Sequence, residues 1–131
     1  MALQLTVRDG TPNGQVTGEL VLHDLSSHMT VRDLIRTRVR EEVARYNLSL
    51  GEYFQGLVQP MDAEEAAGGY RMKRRRAIEW DKQADIAENG FLANRFFLLV
   101  GDRQVTELDE QLDIDSKTDI RFVKLVPLVG G

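Results

Sequence analysis

Residues 119–131 read DIRFVKLVPLVGG. Ile120 and Phe122 alternate with Arg121, the period of a strand with one face turned inward. The run then becomes apolar on both faces. A strand apolar on both faces suits the middle of a sheet, flanked by neighbours and covered by a helix. Reading 119–131 in this way therefore calls for partner strands elsewhere in the chain and for at least one helix. Beyond the strand, Pro127 fixes φ and stiffens the approach to a tail, 127–131, expected to be flexible. Gly130 and Gly131 have no Cβ, so they pass where a side chain would clash.

The partner strands are found on both sides of the sequence. RFFLLVGDRQV (95–105) is an apolar run broken by Gly101-Asp102, with a short strand at Gln104-Val105 across that turn. At the other end, LQLTVR (3–8) alternates Leu3, Leu5 and Val7 with Gln4, Thr6 and Arg8. DGTPNGQ follows, dense in turn residues, and VTGELVLHDL offers a second strand with Leu20 and Leu22 on one face. These two strands are expected to form a hairpin. TELDEQLDIDSKTD (106–119) is polar, with Leu108, Leu112 and Ile114 as anchors.

The helix lies in SSHMTVRDLIRTRVREEVARYN (26–47). Thr30 is placed as N-cap, and Asp33 three residues later can complete a capping-box-like exchange. Val31, Leu34, Ile35, Val39, Val43 and Tyr46 recur at steps of three and four. They form one apolar stripe, expected to pack in the core, and Arg36, Arg40, Glu41 and Arg45 lie elsewhere around the helix. From residue 47 to 94 the pattern changes. NLSLGEYFQGLVQP is mixed and punctuated by glycine. MDAEEAAGGYRMKRRRAIEWDKQADIAENG reads as helical pieces, broken at Gly68-Gly69 and stopped at Asn89-Gly90. Its apolar positions, Tyr70, Ile78, Trp80 and Ile86, give no clean stripe. The segment 47–94 is read as a partly helical insertion into a single domain spanning 1–131.

Composition narrows the function. With 131 residues, 42% of them apolar and 29% charged, the chain can bury a core of its own. The net charge of −4 gives no global attraction to nucleic acid or to an anionic membrane. The absence of cysteine removes disulfides, thiolate metal sites and a catalytic thiol. MALQLTVRDG lacks a basic region followed by an apolar stretch, and no apolar run approaches the roughly 20 residues that cross a bilayer. A cytoplasmic chain without a membrane partner is expected. His23 and His28 have no metal-ligand spacing, so no metal is expected, and no glycine loop is built to cradle phosphate, so no cofactor is expected. RMKRRR (71–76) is basic, but Glu64, Glu65, Glu79 and Asp81 balance it as a solvated face, and no nucleic-acid partner is expected.

The order is hairpin, helix, strand, short strand, strand and tail. Here LQLTVR, TVRDLIRTRV, FFLLVGDRQV and IRFVKLVPLVGG together resemble a ubiquitin-like protein, in the superfamily that also contains the sulfur carriers for molybdopterin and thiazole synthesis. LLVGDRQV resembles the family's third strand, turn and short fourth strand, and FVKLVPLVGG its last strand and diglycine tail. The resemblance implies an α+β chain of β-grasp fold, a mixed sheet crossed by one helix. It departs in two places: the segment between helix and third strand is much longer, and Lys124 stands where ubiquitin's last strand has an inward apolar residue.

The resemblance implies no enzyme. It implies a prokaryotic-type protein modifier that is the substrate of a partner's active site. An activating enzyme would adenylate the Gly131 carboxylate with ATP, the Gly130-Gly131 pair threading its channel, and a conjugating enzyme would join Gly131 to a target amine. A deconjugating protease would reverse the bond. Leu99 resembles the central apolar residue of the family's docking patch, with Leu125 as neighbour, and Pro127, Leu128 and Val129 form the approach to the tail. Lys73 and Lys82 are the candidate acceptor lysines within the chain. Two alternatives stand beside this one. The first is a sulfur carrier whose Gly131 becomes a thiocarboxylate, favoured by the apolar Val126-Pro127-Leu128-Val129. The second is a non-covalent binding module in which the two glycines are incidental.

Overall fold

The computed structural model describes residues 3–66 and 69–125. Among them the elements run in chain order β1 (Leu3–Gly10), β2 (Val16–Leu25), β3 (His28–Thr30), α1 (Val31–Ser49), β4 (Tyr53–Phe54), β5 (Ala63–Ala66) and β6 (Gly69–Met72). Then follow α2 (Trp80–Leu92), β7 (Phe96–Val100), β8 (Arg103–Val105), β9 (Gln111–Asp113) and β10 (Ile120–Lys124). The chain is α+β. Its described residues fall into two compact units, one made of 3–31 with 91–125 and the other of 32–90.

The first unit is built on a five-stranded mixed sheet of order β2-β1-β10-β7-β8. β1 and β2 form the expected antiparallel hairpin, with Leu5 opposite Leu22 and Val7 opposite Leu20. β10 is the central strand, parallel to β1 through Arg8↔Arg121 and antiparallel to β7 through Phe122↔Leu98. Alternation sorts the side chains as the period of two requires. Leu5, Val7, Leu20, Leu22, Leu98 and Phe122 are buried on one face, where the rings of Phe96 and Phe122 lie 6.2 Å apart. At Gly101, φ of 61° makes the tight β7–β8 turn without strain.

β3 and β9 pair antiparallel as a separate ribbon, joining Met29 to Leu112, both buried. Neither strand is legible in sequence, which reads 28–30 as the approach to the helix and 111–113 as part of a polar connection. Leu108, Leu112 and Ile114 are the buried anchors expected of that connection. Arg103 reaches Glu110 at 2.6 Å, and this hydrogen bond holds the Glu110 carboxyl below its ordinary value. A depressed carboxyl stabilises the fold above its unfolded pKa, and that contribution is lost as pH falls through the folded one. Because the pair is exposed the effect is small. NMR titration is expected to place the Glu110 midpoint below that of a free glutamate, and Arg103→Ala to return it upward.

The second unit contains α1 from Arg32 onward. The stripe of Leu34, Ile35, Val39, Val43 and Tyr46 is buried as its spacing predicted. Thr30 directly precedes the helix. The helix continues to Ser49, two residues past the expected end, and Leu50 terminates it with φ of 47° and an N–H bonded to the Tyr46 carbonyl at 2.8 Å.

The expectation of helical pieces between 61 and 78 is corrected. Ala63–Ala66 and Gly69–Met72 are antiparallel strands, and β6 pairs on its other side with β4 to give the order β4-β6-β5. Gly69, at φ of 123°, adopts a conformation that disfavours a helix, and it begins β6 opposite Ala66 of β5. The helix α2 does form, but it passes through Asn89 and Gly90, because Phe91 in its last turn is buried against Phe96 at 5.9 Å. Asn94, at φ of 59°, ends the excursion.

Between these elements the 54–60 loop is interior. Phe54, Leu57 and Val58 are buried, and the Phe54 ring meets Tyr46 edge-on at 5.8 Å. A Cβ on Gly56 would stand 2.2 Å from the Phe54 ring, so only glycine fits there. The Tyr46 hydroxyl donates to the Gly51 carbonyl at 3.0 Å, and burial pushes its pKa up. Asn47 brackets Ile78, donating to its carbonyl at 3.0 Å and accepting from its N–H at 2.9 Å.

Candidate functional site

Two places carry the residues singled out in sequence: the outer face of the five-stranded sheet with the tail beyond it, and the lysines of the second unit.

The register lays one row across the outer face. Glu19 of β2, Arg8 of β1, Arg121 of β10, Leu99 of β7 and Gln104 of β8 stand side by side. Leu99 is half-buried there, between Arg121 and Gln104. Arg8 and Glu19 form an ion pair at 3.6 Å with both side chains exposed. Arg121 has no ion-pair partner among the described residues, and its Nε is buried without a hydrogen bond. Its aliphatic stem runs over Gly10, where a Cβ would come within 3.3 Å of the Arg121 Cδ. An arginine lying flat on the sheet in this way covers neighbouring surface with its stem.

Leu125 is 39% exposed, and its N–H meets the Arg95 carbonyl at 3.4 Å. It was expected to neighbour Leu99. The register instead places it four residues along β10 from Arg121, Leu99's partner, which is about 13 Å at 3.3 Å per residue. The next row, Val123 opposite Phe97, lies between the two leucines. Phe97, half-buried, therefore belongs to the patch and was missed, whereas Val123 beside it is buried and offers no contact surface. The signal was present in the consecutive apolar residues of FFLLV and FVKL, which put apolar side chains on both faces. Lys124 is half-buried opposite Phe96 at the end of the strand. Pro127, Leu128, Val129, Gly130 and Gly131 lie outside the described residues.

The two lysines differ. Lys82, in the first turn of α2, holds Glu79 at 2.6 Å, and that hydrogen bond raises its pKa. An amine must be neutral to attack an acyl carbon, so this contact works against Lys82 as an acceptor. Lys73 follows β6, is exposed, and has no ion pair among the described residues. Of the two, Lys73 is the more accessible nucleophile.

Three buried polar residues were not singled out in sequence: Arg38, Glu42 and Gln83. Arg38 Nε donates to Glu42 Oε2 at 2.9 Å, and the same oxygen accepts from the Leu57 N–H at 3.1 Å. Gln83 Nε2 donates to the Val58 carbonyl at 3.0 Å. The signal for Arg38 and Glu42 lay in the helical period itself, since steps of three and four from Leu34 and Ile35 arrive at 38 and 42 as well as at 39 and 43.

Among the described residues no helix is long and apolar enough to cross a membrane. Set against family models, curated proteins and solved structures, the chain matches none.

Proposed function

We propose that the chain is a ubiquitin-like protein modifier of β-grasp type, activated by adenylation at Gly131 and joined through it to target amines. The observation that supports this reading is the parallel pairing of β1 with β10 at the centre of the mixed sheet. A hairpin, a helix and a strand-turn-strand unit precede a central last strand, which leads directly into VPLVGG. This is the arrangement that a β-grasp modifier needs to present its tail. The chain itself supplies no catalyst. The carboxylate of Gly131 is a poor electrophile until ATP converts it to an acyl-adenylate, releasing pyrophosphate. A thiol of the activating enzyme then displaces AMP, and an amine finally displaces the thiol. Partners are the activating and conjugating enzymes, a deconjugating protease and the target protein. The outer sheet face around Leu99 and Phe97 is their docking surface.

Deleting Gly131 is expected to abolish ATP–pyrophosphate exchange with the activating enzyme while the cooperative unfolding transition stays unchanged. Full exchange by the shortened chain rejects adenylation at this residue. The apolar Val126-Pro127-Leu128-Val129 supports a second reading, the sulfur carrier. Both readings share the adenylate, and they part at the product. A modifier yields peptides with Gly131 linked to lysine, whereas a carrier yields only the mass gain of sulfur replacing oxygen.

A further inference from the structure

The second unit holds a cavity that the modifier reading does not use. It measures about 350 Å³, within the range of small-molecule sites. Its apolar walls are Met61, Met72, Ile78 and Ile86. Met72 is buried, whereas Met61 is largely exposed and stands at the opening. Gln83 also lines the cavity and is only 2% exposed. Its Nε2 is engaged by the Val58 carbonyl, while its Oε1 accepts from no donor among the described residues. The amide oxygen of Gln83 therefore stays free to accept from a donor that enters the cavity.

The charged lining is asymmetric. Arg76 and Lys82 contribute two cations against the single carboxylate of Glu79. Arg76 contacts Asp62 at 3.2 Å and Lys82 contacts Glu79 at 2.6 Å, and all four side chains are more than half exposed. Exposed ion pairs of this kind contribute little, so they exchange readily for an incoming anion. Lys73, Arg74 and Arg75, which run directly into Arg76, have no ion pairs among the described residues. Three further cations thus directly precede the cavity's own Arg76 in a chain whose net charge is −4.

We propose that this cavity binds a small amphiphilic anion. Its apolar ring or chain lies between Met72, Ile78 and Ile86, an N–H or O–H donates to Gln83 Oε1, and its acidic group meets Arg76 and Lys82. The probe with this chemistry is 8-anilinonaphthalene-1-sulfonate, which carries two aromatic groups, one N–H and one sulfonate. Titrated into the folded full-length chain, it is expected to give saturable, one-to-one fluorescence enhancement and to raise the melting temperature, as a ligand of the native state does. Ile86→Phe, which fills the apolar wall, and Arg76→Glu, which reverses the charge, are each expected to weaken binding by about tenfold or more. The side-chain amide resonances of Gln83 are expected to shift on addition of the probe. Binding that is non-saturable, equally tight in both variants, or silent at the Gln83 side chain overturns the proposal.

Discussion

Phe122→Ala is expected to destabilise the protein by about 3–5 kcal/mol, the cost of emptying a buried aromatic site that cannot collapse. Phe122 occupies the middle of the central strand and is fully buried, with Leu98 opposite on β7 and Asp9 opposite on β1. Its ring continues a line of aromatics, 6.2 Å from Phe96, which in turn is 5.9 Å from Phe91. Aromatic pairs at such separations add about 0.5–1.5 kcal/mol beyond burial, so removal of the Phe122 ring also loosens Phe96. The comparison that gives the number meaning is Phe97→Ala, one register step away. Phe97 points to the opposite face and is half-buried, so its loss is expected to stay below about 1.5 kcal/mol. Denaturant titration of both variants checks this. Equal losses would mean that the face carrying Phe122 is not the packed one.

That face was legible in sequence because a half-buried strand writes its own period. Leu5, Val7, Leu20, Leu22, Ile120 and Phe122 recur every second residue, and all are buried. The helical stripe from Val31 to Tyr46 was legible for the equivalent reason. What stayed hidden was structure specified by distant partners. In AEEAAGGYRM the alanines and glutamates favour a helix locally, yet Ala63 lies opposite Met72 and Glu65 opposite Tyr70 in an antiparallel strand pair. Strand propensity depends heavily on the neighbouring strand, so a local reading goes wrong where the partner decides. β3 and β9 are three residues each and were hidden for that reason as well as for their length. In the candidate patch, Leu99 came from the family resemblance, whereas its neighbours Arg121 and Phe97 required the register.

Arg38→Ala is expected to cost about 3–5 kcal/mol, because it strands a charge inside the protein rather than because it removes an attraction. Arg38 is 3% exposed and Glu42 is 5% exposed, one turn apart on α1. Read from sequence alone, this i, i+4 pair would be a surface contact worth a few tenths of a kcal/mol. Burial changes the accounting. Two ions removed from water recover their desolvation only through each other and through further hydrogen bonds, here including the Leu57 N–H on Glu42 Oε2. Removing the guanidinium leaves the carboxylate with the desolvation and without its main partner. Removing both charges is a different experiment: Arg38→Met with Glu42→Leu keeps the volume and leaves no ion behind. Its penalty includes the Leu57 N–H left without an acceptor, about 1–3 kcal/mol for a buried donor. The double variant is therefore expected to be more stable than Arg38→Ala alone. Urea unfolding of the single and double variants measures the order directly. If the double variant were the less stable of the two, the pair would be stabilising in its own right, and α1 would depend on these charges as much as on its apolar stripe.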